Sequence, residues 1–495
     1  MLYDLVVIGG GINGCGCAAD AALRGLSVLL CEQDDLAAHT SSKSSQLIHG
    51  GLRYLEQYQF RLVHHALEEQ RILMNIAPHL IHPLAFVLPY RSGLRPAWLL
   101  RCGLFLYDHL SRANLLPNSK ALSRKKDVTY FTTLQQDINK GFLFYDAQTH
   151  DARLTLNIAL LAQAHGATIL PRTQFIQATS QDKHWQITLQ PKEGEAIQIS
   201  AKAIINAAGP WASQIAQTCH QPLDQAISYV KGSHIVVPAF YAGQHAYLLQ
   251  AQDKRIIFVI PYQGQHLIGT TDILLSKTEP NPSISPEEIQ YLKDIIHHYF
   301  QHAITKITTT WSGIRALPAN PKRGPSQLSR DFSFEFHAQP SPMATIISGK
   351  LTTYRRLAAQ VLDSLKPVFP NLAPTTTHVT PLPGGGWGNK SFADYVRYAQ
   401  KHYAWLEPAI LQHYLYHYGS RTEILLQNCT QETDLGHAFG PILRQKEVDF
   451  LCQTEWAQTA EDILWRRTQL GLSIDSQDEH ALEAYLITNR SPSPL

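Results

Sequence analysis

Three glycines open the chain in the order Gly9, Gly11 and Gly14, and an acid, Glu32, ends the second apolar run. Each glycine has a physical job at this spacing. Gly9 allows a tight turn, Gly11 lets the backbone approach a pyrophosphate, and Gly14 lets a helix pack closely on a strand. Asn13 lies in the same turn. The helix N-terminus offers free N–H groups and a partial positive charge to phosphates. Glu32 can accept from a ribose hydroxyl, and its charge argues against a 2′-phosphate there. The chemistry served by this set is dinucleotide binding.

A second reactive stretch follows. The turn Thr40-Ser41-Ser42-Lys43-Ser44-Ser45 is rich in hydroxyls, which cap helices or bind phosphate. It leads into Gln46-Leu47-Ile48-His49-Gly50-Gly51-Leu52-Arg53-Tyr54. His49 and Arg53 are four apart and share a face if the segment is helical. Further along, Arg91, Arg95 and Arg101 interleave with Leu94, Trp98, Leu99, Leu100, Leu104 and Phe105. Such a stretch is read either as a partly buried surface helix or as one lying in a membrane interface.

These residues need a scaffold. Leu5 to Ile8 is a β-branched run suited to a buried parallel strand. A helix is expected from Cys15 to Arg24, closed by Gly25, and a second strand over Ser27–Cys31 completes a βαβ unit. Residues 60–76 form an amphipathic helix. Asp151 opens a helix running to about His165. Ala167–Leu170 is a strand, and residues 184–190 and 195–200 form a hairpin. Ala203 to Trp211 is a strand running into a turn at Gly209-Pro210. Residues 227–275 read as an inserted antiparallel sheet. Ile346 to Tyr354 is again strand, turn and helix start. Pro381-Leu382-Pro383-Gly384-Gly385-Gly386 has the composition of a linker, and beyond it a helical domain carries Tyr395, Tyr398, Trp405, Tyr414 and Tyr418. The expected fold is α/β. A Rossmann-type domain occupies residues 1–75, 141–225 and 321–375. An antiparallel substrate-capping sheet takes 76–140 and 226–320. An all-helical domain takes 385–495.

Composition narrows the function. At 495 residues the chain exceeds one ordinary core. A net charge of +2 offers no field for nucleic acid. The seven cysteines form no CxxC or paired cluster, so neither a disulfide framework nor a metal site is expected. The N-terminus shows no basic leader region and no apolar run is long enough to span a bilayer, so any membrane contact would be peripheral.

Taken together, the motifs resemble the FAD-dependent glycerol-3-phosphate dehydrogenases of the bacterial aerobic, respiratory type. The resemblance rests on Asp4–Gly14, Thr40–Glu56, Asp151–Leu154, Lys231–Val237, Lys254–Pro261, Gly269–Asp272, Ser312–Leu317, Gly349–Arg355 and Trp465–Gly471. The runs Leu47–Glu56 and Lys350–Arg355 are far more specific than the glycine fingerprint. The resemblance implies a glycine-oxidase-like fold with FAD as cofactor. It implies oxidation of sn-glycerol 3-phosphate to dihydroxyacetone phosphate by hydride transfer from C2 to the flavin N5. Electrons would pass to ubiquinone from a homodimer held peripherally on the inner face of the cell membrane. A glycerophosphate oxidase reducing oxygen to peroxide is the alternative. The related anaerobic enzymes carry a cysteine-rich region that this chain lacks.

The reaction needs a base, a phosphate site and a stabiliser for the developing alkoxide. His49 is the first choice of base and His234 the second. Arg53, Arg330 and Lys350 are expected at the phosphate, beside Tyr54, with Arg315 near the reacting oxygen. Thr40, Ser41, Ser42, Ser45, Gly50, Gly51, Gly209, Gly349, Thr352 and Thr353 join the glycine turn and Glu32 as expected cofactor contacts. Two departures from relatives stand out. Ser348 precedes Gly349 where a second glycine is frequent, and Ala316 follows Arg315 where proline is common.

Overall fold

The computed structural model describes residues 2–91, 96–110, 115–253, 255–319, 331–388 and 390–489, apart from the side chains of Arg53, Glu56 and Gln57. The first apolar run forms β1 (Leu2–Ile8), flanked in parallel by β2 (Val28–Cys31) and β10 (Ile197–Asn206). Leu5 and Val7 face the core of α1 (Ile12–Leu23), α4 (Asp151–Ala164) and α7 (Tyr354–Ser364). Val6 and Ile8 face a second core shared with β8 (Thr173–Gln181), β9 (His184–Pro191) and α5 (Ala212–Thr218). A strand buried on both faces has no use for polar alternation, which is why the run lacks it. The sheet continues in parallel to β7 (Thr168–Leu170) beyond β2 and to β18 (Met343–Ser348) beyond β10. It is closed antiparallel by β17 (Ser333–His337). The expected hairpin is two strands of an antiparallel meander, β8 to β10. α1 starts at Ile12, ahead of the expected Cys15, because the glycine turn itself forms the first helical turn.

A second sheet carries the opposite wall of the site. Its order is β15 (Ile273–Leu275), β11 (Ile227–Pro238), β14 (Gln265–Gly269), β13 (Ile256–Tyr262), β12 (Ala246–Gln250), β4 (Ile81–Tyr90), β6 (Lys140–Thr149), β3 (Leu47–Ile48). β16 (Thr309–Pro318) pairs with β11, and β5 (Lys120–Ser123) with β6. Its helices are α2 (Phe60–Ile76), α3 (Ala97–His109) and α6 (Pro286–Tyr299). Ser285 and Glu288 form a capping box on α6, as serine and glutamate at N-cap and N3 do. The expected boundary at residue 140 is corrected here. β6 pairs with β4 as far as Thr149, so the chain returns to the first sheet only at α4. Leu47 and Ile48 also join this second sheet, although they precede residue 75.

The C-terminal domain packs α8 (Phe392–His402), α9 (Pro408–Tyr418), α10 (Thr422–Leu425), α11 (Gln445–Thr454) and α12 (Ser476–Thr488) around its own core, with a small hairpin of β19 (Ala438–Phe439) and β20 (Leu443–Arg444). The glycine-rich stretch before it is not a loose tether. Gly384 and Gly385 are buried, and a Cβ on Gly384 would overlap the Tyr418 carbonyl. Leu382 N donates to Ile76 O (2.8 Å) and Ser420 N to Gly384 O (3.1 Å). All seven cysteines are free thiols.

Buried ion pairs join this domain to the first sheet. Glu455 accepts from Arg153 of α4 and from Arg421. Asp35, three residues past Glu32, accepts from Arg466 (2.6 Å) and from Arg467. Arg172 reaches Asp462 at 2.5 Å. Burial alone would raise the Glu455 carboxyl; the charges of Arg153 and Arg421 override it and hold it at about 2. That folded value lies below the unfolded one of about 4.3. The pair's contribution is therefore full above that pH and is lost as the pH falls from there through about 2. Breaking a buried pair leaves uncompensated charge and costs about 3–5 kcal/mol. Glu455→Gln should accordingly lower the urea midpoint clearly at pH 7, with the difference shrinking in acid. An unchanged midpoint would show that the pair does not hold the domains.

Candidate active site

A cavity of about 570 Å³ lies between the two sheets. Its floor is the glycine turn. Gly9 has φ of 109°, and a Cβ there would sit 2.6 Å from Ala207 O of the neighbouring strand end. A Cβ on Gly14 would overlap Gly9 O, so α1 crosses β1 this closely only with glycine at both positions. Gly11, Ile12 and Asn13 line the cavity at the N-terminus of α1. Ile12 N donates to Ser41 Oγ (2.9 Å), which fixes the hydroxyl-rich turn over the helix end. Glu32 takes one backbone N–H on each oxygen, Gly10 N at 2.7 Å and Asp34 N at 2.9 Å. Burial raises its carboxyl above the ordinary range. A carboxylate has about four acceptor positions, so capacity remains for a ribose hydroxyl.

Arg315 enters the cavity from β16 of the second sheet and Lys350 from just past β18 of the first. Arg315 Nη2 donates to Asp272 Oδ1 (2.7 Å) and to Thr271 O (3.2 Å). It lies over Gly232, where any Cβ would overlap it. Lys350 Nζ is 3.3 Å from the Tyr54 hydroxyl and 4.3 Å from that ring's centroid. His49 is half-buried at the cavity edge, with its ring 6.1 Å from Phe258. The two walls are tied where Thr40 Oγ1 donates to Ile314 O (2.8 Å).

Residues 4–355 match the family model described as FAD dependent oxidoreductase, and residues 375–487 match the C-terminal domain of alpha-glycerophosphate oxidase. The chain belongs to the FAD-dependent oxidoreductases. Two curated relatives span almost the whole chain. One is a glycerol-3-phosphate dehydrogenase of Pseudomonas aeruginosa, 44% identical over 100% of this chain and 96% of the relative. The other is a D-erythritol 1-phosphate dehydrogenase of Brucella abortus, 42% identical over 97% and 96%. The fold is also that of a glycerol-3-phosphate dehydrogenase from Bacillus halodurans solved with FAD, with a TM-score of 0.77 at 24% identity, covering 98% of this chain and 94% of that one.

FAD is thus the cofactor of this oxidoreductase, and the cradle fits it. Asn13, in the first turn of α1, lines the cavity, where the helix N-terminus favours an anion. Asn13 Oδ1 is buried without a partner among the described residues, an acceptor that a ligand donor would satisfy. Gly9, Gly11, Asn13, Glu32, Thr40, Ser41, Ser45, Gly51, Gly209, Gly349 and Thr352 all line the cavity, as do His49, Tyr54, His234, Arg315 and Lys350.

Several expected contacts do not. Gly14 acts through helix packing alone. Ser42 Oγ donates within its own turn to His39 O (3.2 Å). Thr353 is buried, with its N–H donating to Lys350 O (3.1 Å). Gly50 does not line the cavity, and its N–H donates to the Tyr107 hydroxyl (2.8 Å). The Arg53 side chain and the whole of Arg330 lie outside the described residues. His234 is a poor base. Burial, aided by the charge of Arg315, pushes its imidazole down to about 3, and its Nε2 is engaged with Ser45 Oγ at 2.9 Å.

Asp272, Lys43 and Asp146 are among the lining residues that escaped the sequence reading. Asp272 ends the quoted run Gly269–Asp272 but gave no sign of pairing with Arg315. Lys43 sits among the serines and borders the cavity beside Gly313. Its charged form is disfavoured by burial and by Arg466, against Glu461 and Asp151.

The glycine cradle yields a direct expectation. Gly14→Ala should purify without flavin absorbance. Glu32→Ala should remain folded and lose FAD on gel filtration at dilutions where the wild type keeps it. Full flavin retention in both would remove this end of the cavity as the cofactor site.

Proposed function

We propose that the protein oxidises sn-glycerol 3-phosphate to dihydroxyacetone phosphate. The observation that carries the reading is the convergence of Lys350, Arg315 and His49 in the same cavity as the glycine cradle. Both curated relatives are named for phosphorylated polyols, so the shared chemistry is an alcohol carbon near a phosphate ester. When bound, FAD supplies the electron sink, accepting hydride from C2 at N5.

The chain's own residues do the rest. Lys350 holds the phosphate as a point charge, with Tyr54 beneath it. Arg53 and Arg330 are assigned to the same phosphate by family resemblance. Arg315, oriented by Asp272, stabilises negative charge building on the C2 oxygen. His49 takes the hydroxyl proton. His234, buried and held by Ser45, orders the wall beside it. Arg315→Ala should slow flavin reduction by at least about 10²-fold with FAD still bound, the usual cost of losing one such donor. Stopped-flow absorbance under nitrogen would measure it, and a wild-type rate would put the alkoxide elsewhere.

In the same reading the enzyme is a homodimer, bound peripherally to the inner face of the cell membrane, and passes electrons to ubiquinone. Among the described residues no helix is long and apolar enough to cross a membrane. What supports peripheral contact is α3. Leu100, Leu104 and Tyr107 are buried on one side, while Trp98 (68%), Leu99 (43%), Phe105 (56%) and Leu106 (43%) are exposed. An apolar face beside Arg101 is the composition of an interface-lying helix. The oxygen-reducing alternative is not favoured, since the similar curated relatives are dehydrogenases by name. Trp98→Ser with Phe105→Ser should release the enzyme from vesicles of anionic lipid while turnover with a soluble dye persists. Undiminished vesicle binding would move the contact to another surface, and rapid peroxide formation in an oxygen electrode would restore the oxidase.

A further inference from the structure

The backbone on either side of His49 is gripped by one set of buried side chains. Before it, Ile48 O accepts from Gln70 Nε2 of α2 (2.6 Å). After it, Gly50 N donates to the Tyr107 hydroxyl of α3 (2.8 Å). Gln70 Nε2 and the Tyr107 hydroxyl both donate in turn to Asp146 Oδ1 of β6, at 2.9 and 2.7 Å. Gly50 N itself lies 3.4 Å from that oxygen. Asp146, Tyr107 and Gln70 are 4%, 3% and 3% exposed.

The arrangement is fully satisfied on the side facing His49. Each hydrogen of the Gln70 amide has an acceptor, and the Tyr107 hydroxyl both donates and accepts. Burying a carboxyl, a phenol and an amide together is costly unless every bond is made, and a complete network is rigid. Side chains from α2, α3 and β6 therefore converge on the two peptide groups flanking one histidine, and Asp146 at their centre also lines the cavity. Gly50 is part of the device, because a Cβ there would come within 2.7 Å of both the Tyr107 hydroxyl and Leu67. Its glycine serves close approach by this network.

We propose that Asp146, acting through Tyr107 and Gln70, is the positioning residue of His49, setting the direction in which its imidazole enters the cavity. The proposal rests on the reading in which His49 takes the substrate proton. A misplacement of about 1 Å at such a group costs about 10²-fold in rate. The limiting rate of flavin reduction should therefore fall about 10²-fold in Asp146→Ala and about tenfold in Tyr107→Phe. The apparent substrate affinity should stay within about threefold, since the phosphate contacts are untouched. Asp146→Asn keeps an acceptor in place and should recover most of the rate. The double variant Asp146→Ala/Tyr107→Phe should be no slower than Asp146→Ala, because both act through one device.

The measurement is anaerobic stopped-flow reduction of the full-length, FAD-loaded protein by sn-glycerol 3-phosphate, with His49→Gln run beside the others. Where Asp146→Ala fails to fold, Tyr107→Phe carries the test. A folded, flavin-loaded Tyr107→Phe with a wild-type limiting rate, beside an inactive His49→Gln, overturns the positioning role and leaves the His49 reading intact. A weakened affinity at unchanged limiting rate also overturns it. A wild-type rate in His49→Gln removes the reading of His49, and the positioning role with it.

Discussion

The crossing of α1 over β1 sets the reference for every distance in the site. Gly14 lies against the Gly9 carbonyl, and Gly9 against the Ala207 carbonyl, so three backbone segments meet with no side chain between them. That contact brings the end of β10 level with the end of β1 and points the N-terminus of α1 into the gap. Glu32 then grips the Gly10 N–H, and Ser41 the Ile12 N–H, both from the connection that follows β2. Neither could reach if the helix stood off the sheet by the width of a methyl group.

The groups we assign to the reaction are drawn from both sheets and the segments between them. His49 follows directly on β3, a strand of the second sheet reached straight from the hydroxyl-rich turn. Arg315 lies on β16, beside the residue whose carbonyl holds Thr40. Lys350 follows β18 of the first sheet and meets Tyr54 from the segment after His49. The site thus belongs to neither sheet, and its geometry is an outcome of their registration.

What could be read from the sequence was local. The βαβ unit, Glu32, and the runs around His49, Arg315 and Lys350 carry their chemistry in a few consecutive residues. What could not be read depends on partners far along the chain. The run Gly141–Tyr145 is apolar wherever it pairs, and nothing in it says that its neighbour is β4. Gly50 adjoins a cofactor-like motif, yet its small size answers to Tyr107, more than fifty residues away. His234 is as basic as any histidine until burial removes its water. Pro381–Gly386 has the same composition whether it swings free or is clamped between Ile76 and Tyr418.

That clamped strap has a bearing on how the C-terminal domain is regarded. A family boundary falls near residue 375, and the domain beyond it has its own core, so it has the outline of a detachable module. Its charges say otherwise. Cutting the chain there would take Glu455 from Arg153, and Arg466 and Arg467 from Asp35, leaving Asp35 only the more distant Arg172 (3.8 Å). Asp35 sits on the loop that also presents Glu32, so the cofactor end of the first sheet would face water it was not built to meet. The domain is thus a structural keystone for the loop that carries Glu32.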